Sequence, residues 1–241
     1  MTSSRRSRTP STLRSLLSLA RADLATQLDD DATPAEHLDR IVHLAQHLVP
    51  GTEHASVSAL KGDDITTLAS TSAVPVEVDR IQRELGTGPI FQVRAVHEVL
   101  RIDDVGADAR WPKYASAVPE LGVRSVLISE LPMTHGMPSV LSLYARRRRA
   151  FSTAAELVVP VFASRAAIAL AHAEEVSNLH RAIDSRQVIG EAVGILMERH
   201  RLSSEAAFER LVGASQRRHI KLRDLAVRMT ETGEDPEHVT M

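Results

Sequence analysis

The densest group of side chains able to do chemistry lies near the C-terminus, in Arg217-Arg218-His219-Ile220-Lys221-Leu222-Arg223. Guanidinium and ammonium groups at this spacing can neutralise phosphates, and each neutralised phosphate releases condensed counterions. From Ser177 to Thr230 there are ten Lys and Arg (Arg181, Arg186, Arg199, Arg201, Arg210, Arg217, Arg218, Lys221, Arg223, Arg228) against six Asp and Glu (Asp184, Glu191, Glu198, Glu205, Glu209, Asp224), a surplus of four. The whole chain, with 29 basic and 31 acidic residues, has a formal charge of −2. A basic segment on a slightly acidic protein suits a polyanionic partner. It equally suits a solvated corner between two helices. Gly190 and Gly194, four apart, form a smooth strip that costs a helix about 1 kcal/mol per residue relative to Ala. Either close helix packing or the approach of a nucleic-acid backbone would account for them.

Nothing assembles into a catalytic centre. There is no cysteine, which excludes thiol nucleophiles, thiolate metal sites and disulfides. No serine sits in G-x-S-x-G, and no H-E-x-x-H occurs. His43 and His47 are one helical turn apart but lack a carboxylate to complete a metal site. We therefore expect a non-enzyme with no metal and no evident cofactor. Gly86-Thr87-Gly88-Pro89 lacks the Lys-Ser/Thr of a phosphate loop and reads as a turn. Arg146 to Arg149 read as a solvated connection or a supplementary contact to the same polyanion. Trp111, the single tryptophan, reads as a core anchor or a pocket wall.

The elements that must position the basic residues are three short helices. The first runs to about Arg199 with Ile189, Val193, Leu196 and Met197 on one stripe. Ser203 is a plausible N-cap for the second, with Glu205 in its first turn and Phe208, Leu211, Val212 and Ser215 sharing a face. The third carries Leu222, Leu225, Ala226 and Met229 and stops at Gly233, with Pro236 beyond. Such a trio makes a small all-α bundle.

The blocks R-x-x-I-G-x-A-x-G-I-L-M from Arg186, A-F-x-x-L from Ala207 and S-Q-x-x-x-x-K-L-R-D-x-A from Ser215 resemble the ANTAR domain, a three-helix RNA-binding module of bacterial transcription antitermination regulators. The resemblance covers roughly Ala182 to Thr230. It implies recognition of paired hairpins in leader mRNA, preventing a terminator hairpin from forming. Arg186, Gly190, Gly194, Ser215, Gln216, Lys221 and Arg223 fall on matching positions, and Arg217 and Arg218 join them as RNA contacts through the charge run. Two positions depart from the pattern. Val193 stands where many relatives have Lys, and His219 where many have Asn, which removes a good N-cap for the last helix.

Upstream, residues 1–33 read as a polar tail followed by an amphipathic helix carrying Leu13, Leu16, Leu17, Ala20, Leu24 and Leu28. Residues 34–175 read as an α+β domain. Helices are expected over Ala35–Leu48 and Val76–Leu85, and strands over Ala55–Ala59, Ile65–Ser70, Val99–Asp104, Val123–Leu131 and Ser139–Arg146. The last two form a hairpin around His135-Gly136-Met137-Pro138. Leu85-Gly86-Thr87-Gly88-Pro89, Asp108-Ala109-Arg110-Trp111-Pro112-Lys113-Tyr114, Gly122-Val123-Arg124-Ser125-Val126-Leu127 and Leu143-Tyr144-Ala145 resemble the GAF domain found ahead of ANTAR in actinobacterial regulators. That implies an antiparallel sheet flanked by helices, serving as a sensor of an unidentified small molecule or as a dimerisation module.

Between the two lies a long helix. Thr153-Ala154-Ala155-Glu156 is a capping-box pattern, and Pro160 should kink or reset the helix. Phe162, Ala166, Ala169, Ala173, Val176, His180 and Ile183 repeat at spacings of 4 and 3, a heptad seam suited to the same helix of a second subunit in a homodimer, to the N-terminal helix around Leu17 and Leu24, or to packing on the sheet. No apolar run approaches the roughly 18 residues of a membrane span, and no secretory signal is evident. A cytoplasmic protein without a membrane partner is the expectation. The bundle, residues 176–235, is thus expected to bind structured RNA under control of the preceding domain. The alternatives are a DNA-binding regulator and a ligand sensor with a protein-binding output.

Overall fold

The computed structural model describes residues 32–96, 99–132 and 138–238. The expected N-terminal helix and the His135-Gly136-Met137 turn lie outside the described residues. The chain divides into two compact units, Met1–Glu175 and Val176–Met241.

The first unit opens with helix α1, Pro34–Leu48. Its start is set by a capping box: Thr33 Oγ1 accepts from the Glu36 amide at 3.3 Å, and Glu36 Oε2 accepts from the Thr33 amide at 2.7 Å. Strands β1 (His54–Lys61) and β2 (Asp64–Ser70) follow, turning at Gly62, whose φ of 62° suits a residue without Cβ. Helices α2 (Ala73–Leu85) and α3 (Pro89–Val96), strand β3 (Leu100–Ile102), helix α4 (Pro112–Ala117) and strands β4 (Ser125–Leu131) and β5 (Ser139–Ala145) complete it. The strands form one antiparallel sheet in the order β2-β1-β5-β4-β3.

Alternation along the strands divides the interior in two. Ala55, Val57, Leu127, Leu131, Leu141 and Leu143 pack with Ile41, Val42 and Ala45 of α1 on one face. Leu60, Val126, Ile128, Val140 and Tyr144 pack with Val78, Ile90, Val93 and Tyr114 on the other. The result is the expected α+β architecture, an antiparallel sheet covered by helices on both faces. Short α3 and α4 were not anticipated: each begins at a proline, and neither is long enough to show a helical repeat.

Helix α5, Thr153–His200, is continuous through Pro160. The expected reset does not occur, because Val158, Val159, Phe162 and Ala163 stay buried against the sheet on both sides of the proline. The cap also differs. Ser152 Oγ, not Thr153, accepts from the Ala155 amide at 3.2 Å, and Glu156 pairs with Arg101 at 2.7 Å. The heptad seam splits: Phe162, Ala166 and Ala173 are buried, whereas His180 and Ile183 are exposed. By length and composition alone α5 could cross a membrane, with a mean hydropathy of 1.6 over an 18-residue window, 44% of it buried. This corrects the expectation that no stretch comes near that length. Its apolar residues include those that cover the sheet.

The second unit comprises the end of α5, helix α6 (Ser204–Arg218) and helix α7 (Leu222–Thr232). Ser203 caps α6, its hydroxyl accepting from the Ala206 amide at 3.2 Å. Ala192, Val193, Leu196, Ala207, Leu211, Ala214, Leu225, Ala226 and Met229 form the core. The core face of α6 is therefore Ala207, Leu211 and Ala214. Phe208, expected to share it, is 44% exposed.

Candidate nucleic-acid interface

The exposure of Phe208 shapes the surface of the second unit. Arg186, Ile189, Gly190 and Val193 of α5, Ser204, Glu205 and Phe208 of α6, and Leu222 of α7 line a groove of about 680 Å³. Arg186, Lys221 and Arg223 are exposed and make no ion pair among the described residues; Arg186 lines the groove, and Lys221 and Arg223 are the chain neighbours of its Leu222. An aromatic face, guanidinium groups and a carboxylate in one concavity can stack a base, contact phosphates and accept from an exocyclic amine. Of the site residues singled out from the sequence, Arg186 and Gly190 line this groove, while Phe208, Ile189 and Glu205 were not among them. The signal for Phe208 was present: it is adjacent to the buried Ala207, off the i, i+4, i+7 line.

A Cβ built on Gly190 or on Gly194 would meet nothing within 4 Å. Close packing within this bundle therefore does not explain either glycine. Gly190 lines the groove, and Gly194 lines a second depression of about 580 Å³ with Glu191, Ile195, Glu198, Arg199 and Thr230.

Ser215 and Gln216 hold the corner between α6 and α7. Ser215 Oγ donates to the Ile220 carbonyl at 2.6 Å, and the Gln216 carbonyl accepts from the His219 amide at 3.3 Å. His219 is left-handed at φ 55° and closes α6. It is not the N-cap of the last helix; Lys221 takes that place without a side-chain cap bond. A family asparagine at this position would serve the left-handed corner rather than a cap.

Four further arginines of the unit, and His200, are held by the segment after α7. Arg199 Nη1 and His200 Nε2 reach the two Asp235 oxygens at 2.7 and 2.8 Å. Arg210 donates twice to Glu237, at 3.0 and 3.1 Å, and Arg217 lies 3.9 Å from the same carboxylate. Arg218 donates to the Pro236 carbonyl at 3.0 Å. The Arg210 guanidinium holds Glu237 below the ordinary glutamate value. Burial works against ionisation of Asp235, yet the hydrogen bonds from Arg199 and His200 outweigh it and hold that carboxyl low. Counted to His238, acids rise to ten with Glu231, Glu234, Asp235 and Glu237, equal to the ten cations. The basic surplus thus holds as far as Thr230 and vanishes when the returning segment is included.

In the first unit, Asp79 is 2% exposed between α2 and β1. Its Oδ2 accepts from Ser58 at 2.5 Å and Thr67 at 2.7 Å, while Oδ1 has no partner. Burial pushes its carboxyl up to about 6, against those hydrogen bonds and the nearby Arg83 charge. Gln82 Nε2 and the Tyr114 hydroxyl are also buried without partners. Burial and the Asp79 charge raise the Tyr114 and Tyr144 hydroxyls. Trp111 is a core anchor, edge-on to Tyr114 at 6.4 Å with Arg110 over its ring at 4.4 Å. Arg146 and Arg148 pair with Glu53 and Asp104. Among the described residues no cluster of three metal-ligating side chains occurs.

Residues 177–229 match the sequence model of the ANTAR domain family. No curated protein matches the sequence. Solved structures match in fold. The photosensory core module of the Stigmatella aurantiaca phytochrome gives a TM-score of 0.57 at 13% identity, covering 94% of this chain and 47% of that one. The GAF domain of a Coxiella burnetii phosphoenolpyruvate-protein phosphotransferase gives 0.53 at 15%, covering 69% and 98%. The chromophore-binding domain of an unusual bacteriophytochrome from R. palustris gives 0.51 at 13%, covering 69% and 63%. The chain spans about half the length of the phytochrome module. A GAF-like fold thus accompanies a C-terminal ANTAR domain.

Proposed function

We propose that the protein is a transcription antitermination regulator without enzymatic activity, acting in the cytoplasm, whose ANTAR domain binds hairpins in leader mRNA. The observation that carries this reading is the groove of Arg186, Gly190 and Phe208 beside the unpaired cations Lys221 and Arg223. An unpaired loop base stacks on Phe208, and the cations hold the flanking phosphates. The GAF-like unit is the regulatory half. The buried, unpartnered polar atoms of Asp79, Gln82 and Tyr114 suit a small ligand with both donors and acceptors. Exposed Leu157 and Ile168 on α5 support pairing with a second copy of the chain.

The test is filter binding of RNA hairpins from leader regions, across a salt series, with Lys221→Ala and Arg223→Ala. Each variant is expected to lower affinity and to reduce the log–log salt slope by about 0.7 to 0.9, the loss of one phosphate contact. Unchanged affinity in both refutes the assigned face. Competition by duplex DNA as effective as by the hairpins would favour a DNA-binding regulator instead.

A further inference from the structure

Four arginines and one histidine of the ANTAR unit converge on a six-residue segment beyond its last helix. Helix α7 ends at Gly233, whose φ of 68° reverses the chain, and Pro236 is buried as the segment returns. Asp235 then bridges Arg199 and His200, Glu237 takes the Arg210 fork with Arg217 nearby, and the Pro236 carbonyl takes Arg218. A two-bond guanidinium fork on an oxyanion, with further cations on the same oxygens, is the geometry with which arginines hold a phosphate. The carboxylates stand where phosphate oxygens would.

We propose that this face is a second phosphate-binding surface, and that the acidic segment Glu234–Glu237 is a built-in competitor covering it. The inference rests on the RNA-binding reading above and extends it. RNA first engages the groove and Lys221 and Arg223. Its backbone then displaces Asp235 and Glu237 from Arg199, Arg210 and Arg217, so that binding occurs in two steps and a weak electrostatic partner fails at the second. The competition explains how a unit with equal numbers of acids and bases serves a polyanion: the acids are concentrated in a segment that can leave.

The experiment uses the full chain and a synthetic RNA carrying two hairpins. Asp235→Asn with Glu237→Gln is expected to raise affinity about tenfold at low salt and to steepen the log–log salt slope by about 1.4 to 1.8, two further phosphate contacts. Arg210→Ala is then made in both backgrounds. In the wild type it changes affinity little, because the phosphate contact Arg210 makes is offset by the Glu237 ion pair it gives up; in the double variant, with no pair to give up, it weakens binding about tenfold. Thermal unfolding of each protein separates loss of fold from loss of contact, and Glu237→Gln alone is the milder variant should the pair unfold the bundle. Equal affinity and slope in wild type and double variant, or the same Arg210→Ala effect in both backgrounds, overturns the proposal while leaving the groove reading intact. If Lys221→Ala and Arg223→Ala are also without effect, both readings fall.

Discussion

Replacing Asp79 by Asn isolates one buried charge. In the folded chain its carboxyl titrates at about 6, and in the unfolded chain near its ordinary value of 3.8. Between those values the native state binds more protons than the unfolded one, so stability falls as pH rises. The contribution is fully present below about pH 4, is lost through about pH 6, and is constant above. A separation of about two pH units corresponds to about 3 kcal/mol at roughly 1.4 kcal/mol per unit. His54 works in the opposite sense: burial lowers its folded value, so its contribution is present above about 6.5 and is lost as pH falls from there through the lower folded value. Because His54 is present in both proteins, the difference between wild type and Asp79→Asn removes it. Trp111, the single tryptophan, lies in the same core as Tyr114 and Val78, so its fluorescence follows this unit alone. Urea unfolding at pH 4 to 8 should show the variant gaining about 3 kcal/mol relative to wild type between pH 4 and 7. Parallel curves, with the same fall in both proteins, would refute the buried carboxylate as the cause.

Two further predictions concern the groove. Gly190→Ala should stabilise the second unit by about 1 kcal/mol, since Ala is the better helix former and its Cβ meets nothing within 4 Å; thermal unfolding measures that, while RNA affinity falls if a backbone or base lies against the glycine. A stabilised protein with undiminished affinity would remove Gly190 from the interface. Phe208→Ala should cost about 1 kcal/mol or less in stability, given its half-exposed ring, yet weaken hairpin binding by about 5- to 150-fold, the loss of roughly 1–3 kcal/mol of base stacking; an affinity loss no larger than the stability loss would refute stacking.

Periodicity made the fold legible wherever burial follows a single rule. All five strands were expected to within two residues at either end, the first of them from the alternation of Ala55 to Ala59. Ser203 and Gly233 marked helix ends correctly because caps are local chemistry, satisfied within three residues. Pro160 misled for the opposite reason. Its missing amide is a local defect, and the burial of Val159 and Phe162 on either side is a tertiary fact that no window around residue 160 contains. Along the heptad of α5 one spacing serves two surroundings: Phe162 and Ala166 lie in the sheet's core, whereas His180 and Ile183 are exposed.

The site was legible in its parts and not in its balance. Arg217 and Arg218 were grouped with Lys221 and Arg223 because they are neighbours in the chain, and a charge run carries no information about which side of a helix each member takes. The corner at His219 divides them: Arg217 and Arg218 meet the returning segment, while Lys221 and Arg223, beyond it, are exposed without an ion pair among the described residues. Net charge over a window has the same defect. It gave a surplus of four when stopped at Thr230 and none when carried to His238, although the number of unpaired cations beside Phe208 is the same in either case. Affinity for a polyanion depends on how many cations can exchange a small ion for a phosphate, and each ion pair with Asp235 or Glu237 subtracts from that number only while the pair holds. A salt series on wild type therefore reports the cations that are free, and one on the neutralised segment reports the cations that exist.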